Sequence, residues 1–264
     1  DDSLNPDRIV LGACDPESAA TLDELYAGFD APLLHLPPTT AEMIKYTSNA
    51  LLATMISFSN EIGDICERLP GVSAVEVFRA LHLDRRLSPE FDGERITAGI
   101  ASYLLPGCGY GGSCLPKDLS ALINFAENQG VESLITDATR RINESRPRRL
   151  VDQAVQRLNG LEHRKVAVLG LSFKPDTDDM RSSPAIPIVD ELLEAKALVR
   201  VYDPAGFKNA YEHWGTRSSL HYSESLDDAL DSAEAALLVT SWREFRELDP
   251  TRVASLMNRP LVLD

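Results

Sequence analysis

Lysine is scarce in this sequence. Only Lys45, Lys117, Lys165, Lys174, Lys196 and Lys208 are present among 26 basic residues, against 41 acidic ones and a net charge of −15. No basic run with interleaved aromatics occurs, so nucleic acid is not an expected partner, because phosphate neutralisation supplies most of that affinity. No apolar run approaches the roughly 18 residues of a membrane-spanning helix. The start, Asp1-Asp2-Ser3-Leu4-Asn5-Pro6, is too polar for a secretory leader. The four cysteines (Cys14, Cys66, Cys108, Cys114) lack metal-ligand spacing, and the five histidines form no ligand pair. No metal is expected, and free thiols read as a cytoplasmic protein without membrane partners. The chain lacks an initiating methionine and opens in mid-pattern, as a fragment would. What remains, 44% apolar and 25% charged residues over a length of 264, is the composition of a globular protein of one large or two ordinary domains.

Two textures divide the chain. Residues 8–12 and 32–36 are short apolar runs with strand character, flanking a helical stretch at 15–27. The longest periodic segment follows, residues 39–69, with Thr39 and Glu42 as a capping box and Pro70-Gly71 as its stop. Some thirty helical residues would span about 45 Å, enough to organise a domain or a dimer interface. Further helices are expected at 72–81, 115–128 and 135–158, with 84–98 as a charged loop. Beyond Gly160 the pattern alternates: buried-strand runs at 165–171, 199–203, 235–240 and 260–264, with a helix at 185–194. Strands alternating with helices indicate a parallel sheet of Rossmann type. Its first turn, however, reads Gly170-Leu171-Ser172-Phe173-Lys174 and not G-x-G-x-x-G. Phe173 and Lys174 would crowd a pyrophosphate there, so a nucleotide held by side chains fits better than NAD.

Three constellations carry chemistry. In Pro106-Gly107-Cys108-Gly109-Tyr110-Gly111-Gly112-Ser113-Cys114-Leu115-Pro116-Lys117-Asp118, four glycines in six positions give a backbone open to close approach. The stretch ends on a thiol at the first turn of a helix, where a thiolate is stabilised. Asp118 falls one turn further on the same face. Buried packing is the ordinary fate of a free cysteine, and it suits Cys108; the glycines and the charged pair favour function for Cys114. Lys45 and Asn49 lie one turn apart on the long helix, among Met43, Leu51, Leu52, Met55 and Phe58. A partly buried lysine there could stabilise an oxyanion, though a solvated surface pair is the plainer reading. Phe173-Lys174-Pro175-Asp176-Thr177-Asp178-Asp179-Met180-Arg181 follows a strand's carboxyl end, where open α/β sheets bind ligands; an acidic surface loop is its alternative.

Taken together, Ala41-Glu42-Met43-Ile44-Lys45 with Asn49, the Gly109–Asp118 stretch, Leu169 through Lys174 with Asp178 and Arg181, Tyr202-Asp203-Pro204 and Thr240-Ser241-Trp242 resemble the UDP-glucose/GDP-mannose 6-dehydrogenase family. The resemblance runs almost end to end. It implies an α/β chain: residues 1–36 as a remnant of an N-terminal NAD-binding domain, 37–150 as an all-helical central dimerisation domain, and 151–264 as a Rossmann-like nucleotide-sugar-binding domain. It also implies oxidation of a nucleotide sugar to its uronic acid with NAD, serving polysaccharide biosynthesis. By resemblance Cys114 attacks the C6 aldehyde and passes through a thiohemiacetal and a thioester. Lys45 and Asn49 stabilise the oxyanion, and Asp118 activates water. Tyr103, Leu104, Leu105, Gly109, Tyr110 and Gly111 cover the sugar nucleotide, and Phe173 and Lys174 reach it from the C-terminal domain. Lys117 and Arg181 lie near the cofactor, and Arg86 completes a neighbouring subunit's site in a homodimer or larger homo-oligomer.

The glycine-rich NAD turn of that family is missing from the sequence, so NAD would be bound mainly by a further domain, and the chain alone is expected to be inactive in hydride transfer. The lead-in Ser102–Gly107 resembles the GDP-mannose branch, whereas Tyr110 and 240–245 resemble the UDP-sugar branch, leaving the sugar open. Two other classes stay in view: a non-catalytic dimerising, nucleotide-binding module with a vestigial Cys114, and a small hydroxy-acid dehydrogenase sharing the long helix. The second has no use for a covalent thiol.

Overall fold

The computed structural model describes residues 4–264; Asp1, Asp2 and Ser3, the head of the polar start, lie outside the described residues. Contacts divide the chain into two compact units, Asp1–Leu51 and Leu52–Asp264.

In the first unit, β1 (Ile9–Gly12) and β2 (Leu33–Leu36) pair in parallel, joined by α1 (Pro16–Tyr26). The helix begins at Pro16 because the Asp15 carboxylate accepts the Ser18 N–H at 2.8 Å and proline suits the first helical position. Then α2 (Pro38–Cys66) starts one residue ahead of the expected capping box. Pro38 is pre-set for a first helical position, and the Pro37 carbonyl accepts the Thr40 and Ala41 N–H groups. Gly12 lets strand and helix meet, since a Cβ there would come 2.9 Å from Pro38 Cα.

The second unit opens with the remainder of α2, which ends at Cys66, three residues short of the expected stop. There follow α3 (Ala74–His82), capped by Ser73, a hairpin of β3 (Glu90–Phe91) and β4 (Glu94–Arg95), and a 3-10 turn at Gly99–Tyr103. The hairpin stands where sequence indicated only a charged loop within an otherwise helical region. Its turn is Asp92-Gly93, both at positive φ (50° and 80°), the pair that two-residue hairpin turns favour. Next come α4 (Leu115–Asn128) and α5 (Leu134–Leu158), close to their expected bounds.

The remainder is a five-stranded parallel sheet of β5 (Lys165–Leu169), β6 (Leu198–Tyr202), β7 (Leu220–Tyr222), β8 (Ala235–Leu238) and β9 (Val262–Leu263), in the order β7-β6-β5-β8-β9. Connecting it are α6 (Ala185–Glu194), α7 (Phe207–Trp214), α8 (Leu226–Leu230), α9 (Arg243–Arg246) and α10 (Pro250–Leu256). Sequence indicated four strands; β7 is only three residues long and too short to show a period. Both faces of the sheet are covered, which is why β5 reads as continuous apolar sequence. Val166 and Val168 pack with Leu150, Val151, Ala154 and Leu158 of α5 and with Ile188, Val189 and Leu192 of α6. Ala167 and Leu169 face Leu230, Trp242 and Phe245 on the other side.

The strand order reverses between β5 and β8, and the crevice at their carboxyl ends is where such sheets take ligands. One buried carboxylate shapes that edge. Asp203, just past β6, accepts N–H groups of Leu171 (2.7 Å), Ser172 (2.9 Å), Ala205 (2.9 Å) and Gly206 (2.7 Å), and the Trp242 indole N–H at 3.2 Å. Asp203→Ala would strand several buried donors at once. We expect it to lower the unfolding free energy by about 3 kcal/mol or more in urea titration; a loss below about 1 kcal/mol would show that the edge does not depend on this carboxylate.

Candidate active site

The loop from Pro106 to Cys114 lies in the second unit, held from three sides. From α2, Asn60 Oδ1 accepts the Gly107 N–H at 2.7 Å, and Gly63 leaves room for the Pro106 ring. On α5, Arg146 donates to the Gly107 carbonyl at 3.0 Å while pairing with Asp64. One turn earlier, Asn143 accepts the Tyr110 N–H at 2.8 Å and donates to the Tyr110 carbonyl at 3.0 Å. The sheet's carboxyl edge supplies the third side. The Cys108 thiol donates to the Leu238 carbonyl at 3.3 Å, and the Gly112 N–H donates to the Arg181 carbonyl at 2.8 Å.

The glycines now have individual reasons. A Cβ on Gly111 would overlap the Ser182 carbonyl, and one on Gly112, at φ +81°, would come within 2.7 Å of the Phe173 ring. These contacts join the loop to the 173–183 segment, so Gly111 and Gly112 lie beside Phe173 and the main chain at Arg181 and Ser182. The segment is itself braced: Phe173 N–H donates to the Asp179 carbonyl, and the Asp179 carboxylate takes Arg181 through both oxygens. That partnership raises the Arg181 pKa, with a smaller contribution from the Cys114 sulfur nearby. Lys174 lies over the Phe173 ring at 5.5 Å.

Cys114 is exposed and sits immediately before α4, its carbonyl accepting the Asp118 N–H at 2.9 Å. Asp118 is buried and bonds the Lys117 ammonium at 2.6 Å; the lysine itself is 69% exposed. Thiol, carboxylate and ammonium therefore share the first turn of one helix. Cys108 is different in kind. Burial, helped by the Asp264 carboxylate and opposed by Arg146, pushes its thiol up to about 12. It is a neutral packing group.

The other expected residues are more dispersed. Lys45 and Asn49 belong to the first unit, where the ammonium donates to Asn49 Oδ1 at 3.2 Å. Tyr103 closes the 3-10 turn, half-buried; Leu104 is buried with its carbonyl 3.0 Å from His82 Nε2, and Leu105 is exposed. Arg86 is a surface residue folded onto Asp84, whose carboxyl it holds well below the usual range. Sequence reasoning gave no role to Asn60, Asn143 or Arg146, and named Asp203 only as part of the Tyr202-Asp203-Pro204 stretch. A signal was present for two of them: Asn143 and Arg146 fall in the same stripe as Thr139, Leu150, Ala154 and Leu158, so polar groups occupy core-facing positions of α5.

The sheet's switch point does not fit a dinucleotide. Gly170 is occupied by Thr240, against which a Cβ would stand 2.5 Å away, so no backbone gap faces outward for a pyrophosphate. The strand-end carboxylate that would take a ribose, Asp203, is turned inward onto the edge's own N–H groups. Among the described residues no helix is long and apolar enough to cross a membrane.

An exposed cysteine at the end of a glycine loop that is docked on the carboxyl edge of a Rossmann-like sheet is the arrangement of an α/β protein with a candidate ligand site at that edge. The comparisons specify it further. Residues 39–145 match the central domain, and residues 167–264 the UDP-binding domain, of the UDP-glucose/GDP-mannose dehydrogenase family. The chain belongs to that family. It is 38% identical over its whole length to the UDP-glucose 6-dehydrogenase YwqF of Bacillus subtilis, of which it spans 56%. The solved UDP-glucose dehydrogenase of Pyrobaculum islandicum superposes with a TM-score of 0.86 at 38% identity, over 100% of this chain and 59% of that one. A UDP-D-ManNAc dehydrogenase from Pyrococcus horikoshii gives 0.78 at 25% identity, over 98% and 56%. The chain thus spans little more than half of these relatives.

The buried thiol predicts an alkaline weakness. An unfolded chain loses the Cys108 proton near pH 9, while the folded chain keeps it to about 12, so stability is full below 9 and lost as pH rises through that window. Tyr110, pushed up to about 12 from 10 chiefly by burial, acts in the same sense. Urea titrations at pH 8, 9.5 and 10.5 should show this decline, with Cys108→Ala less stable at pH 8 but declining less steeply. Parallel declines would mean that Cys108 does not titrate differently in the two states.

Proposed function

We propose that this chain forms the thiol-bearing and nucleotide-holding part of an NAD-dependent nucleotide-sugar 6-dehydrogenase, acting on UDP-glucose or a close relative. The single observation that carries the reading is the docking of the Cys114 loop, through Gly111 and Gly112, onto the segment that bears Phe173, Lys174 and Arg181. A sugar nucleotide anchored at the sheet's edge would bring its C6 toward the exposed thiol. The UDP-binding match over residues 167–264 and the relatives named UDP-glucose dehydrogenases favour a uridine nucleotide.

Oxidation of an alcohol to a carboxylate removes four electrons, and in the family resemblance NAD⁺ accepts them. No turn described above suits that dinucleotide, so the chemistry of this chain's residues is capture and release. The Cys114 thiol adds to the C6 aldehyde carbon: its S–H bond breaks as the C–S bond forms, the carbonyl π pair moves to oxygen, and that oxygen takes up a proton to balance the one the thiol gave up. Holding the aldehyde covalently keeps it from escaping between the two oxidations. Asp118, buried beside Lys117, is suited to accept a proton from the water that later releases the acid. Lys45 and Asn49 carry the oxyanion role by resemblance, with Tyr103, Leu104, Leu105, Gly109 and Tyr110 covering the substrate. Lys117 and Arg181 are the cations assigned to the cofactor, and Arg86, exposed at the surface, is the one offered to a neighbouring subunit.

Capture can be tested on the chain itself. In a Cys14→Ser background Cys114 is the exposed cysteine, Cys66 and Cys108 being buried. The C6 aldehyde of UDP-glucose should protect Cys114 from iodoacetamide saturably, and Lys174→Ala should raise the half-protecting concentration by about tenfold, the value of one charge-assisted contact. Absence of protection at millimolar aldehyde would refute capture.

Dimerisation is the second part of the reading. Along the part of α2 in the second unit, Phe58 and Ile65 lie seven residues apart, each about half exposed, as the seam of a helix pair requires. Phe58→Glu with Ile65→Glu should convert a sedimenting dimer to monomer; a wild-type chain that sediments as a monomer would remove the seam's purpose.

A further inference from the structure

We propose that Asn143 is a positioning residue for Cys114: its side-chain amide acts as a one-residue strand partner that selects the conformation of Gly109–Tyr110 and thereby fixes where the loop delivers the thiol. The geometry is reciprocal, N–H of Tyr110 to Oδ1 at 2.8 Å and Nδ2 to the Tyr110 carbonyl at 3.0 Å. That is the pattern one strand residue offers another, supplied by a side chain from α5. Gly109 is matched to it. Its φ is +97°, and a Cβ there would stand 2.5 Å from Asn143 Oδ1, so glycine is required both by the backbone and by the amide.

Neighbouring grips do not replace this one. Asn60 and Arg146 hold Gly107, and the Arg181 carbonyl holds Gly112. Between those two points, four residues before Cys114, both polar groups of the Tyr110 backbone are held by Asn143. Tyr110 also carries the loop's one large buried side chain, so a peptide that turned over at this point would move the ring and the glycines after it together. The next turn of α5 supplies Arg146, bonded to Asp64 at 2.5 Å. The helix that presents the amide is thereby fixed against α2, and the amide has little freedom to follow a wandering loop.

The inference rests on the reading of Cys114 as nucleophile, but its test does not. In the Cys14→Ser chain, the second-order rate of Cys114 alkylation by iodoacetamide is compared for the parent, Asn143→Ala, Asn143→Asp and, as a control, Ser145→Ala on the exposed side of α5. Alanine removes both bonds, whereas aspartate keeps the acceptor but turns a carboxylate oxygen toward the Tyr110 carbonyl. Both should slow Cys114 by about three- to tenfold, the factor by which one net hydrogen bond shifts a loop equilibrium. Hydrogen exchange should quicken in the 107–113 segment, with α4 and the sheet unchanged and Ser145→Ala like the parent. Rates within twofold of the parent for both variants would overturn the inference. So would slowing accompanied by general loss of protection or by exposure of Cys66 and Cys108, which marks a purely structural residue. Failure of the aldehyde to protect Cys114 would sink the nucleophile and leave the clamp; unchanged alkylation would sink the clamp and leave the nucleophile.

Discussion

Two stretches of main chain meet at Gly111 and Gly112 with no room between them for a side chain, and the candidate site depends on that closeness. The Gly112 N–H reaches the Arg181 carbonyl, Gly111 lies against Ser182, and the Phe173 ring covers Gly112. A methyl group at either glycine would push the thiol loop off the segment that carries Lys174 and Arg181. Because the contact is made by backbone, it also fixes orientation: a hydrogen bond between peptide groups has one register, whereas a side-chain contact can slide.

Such a contact is useful only if both partners are stiff, and α5 provides the stiffness on one side. Its amino-terminal half presents Asn143 and Arg146 to the loop, while Leu150, Val151, Ala154 and Leu158 sink into the core beneath β5 and α6. Burying four apolar side chains of that size is worth several kcal/mol, far more than any single loop hydrogen bond. The helix therefore sets the position of the loop and not the reverse. On the other side Asp203 does the equivalent work, tying the β5 and β6 turns and Trp242 into one edge. Each partner is held by burial, and the thinner polar contacts above it inherit that rigidity.

Legibility in the sequence follows the same division. Elements whose pattern is set by burial were readable: α4, α5, α6 and β5, buried from Val166 to Leu169, appear within a residue or two of their expected bounds. Cys114 with Lys117 and Asp118 was readable because a thiol, a cation and a carboxylate were confined to one helical turn. What did not show was long-range pairing. Asn143 lies 33 residues from the backbone it grips, and Asn60 lies 47 from Gly107, so neither pairing leaves a local period. The Asp92-Gly93 hairpin did not show either, because it lies in a charged stretch without alternating apolar residues, so the turn had no strands to recommend it. Short elements such as β7 escaped for want of length.

Asp203 shows how one sequence signal supports opposite chemistry. An acidic residue closing the second strand of an alternating α/β pattern suggests a ribose partner, and Gly170 after the first strand suggests a pyrophosphate turn. Here both positions are used up internally, the glycine by Thr240 and the carboxylate by four backbone N–H groups and an indole. An edge satisfied in this way has little left to offer a dinucleotide through its main chain, and the proposed function therefore gives nucleotide recognition to side chains beside it, Phe173, Lys174 and Arg181. The same segment meets the glycine loop through the Phe173 ring and the Arg181 carbonyl. In the proposed function, closing the dinucleotide cleft from within leaves recognition to the segment on which the Cys114 loop is docked, so that recognition and thiol chemistry would share one edge.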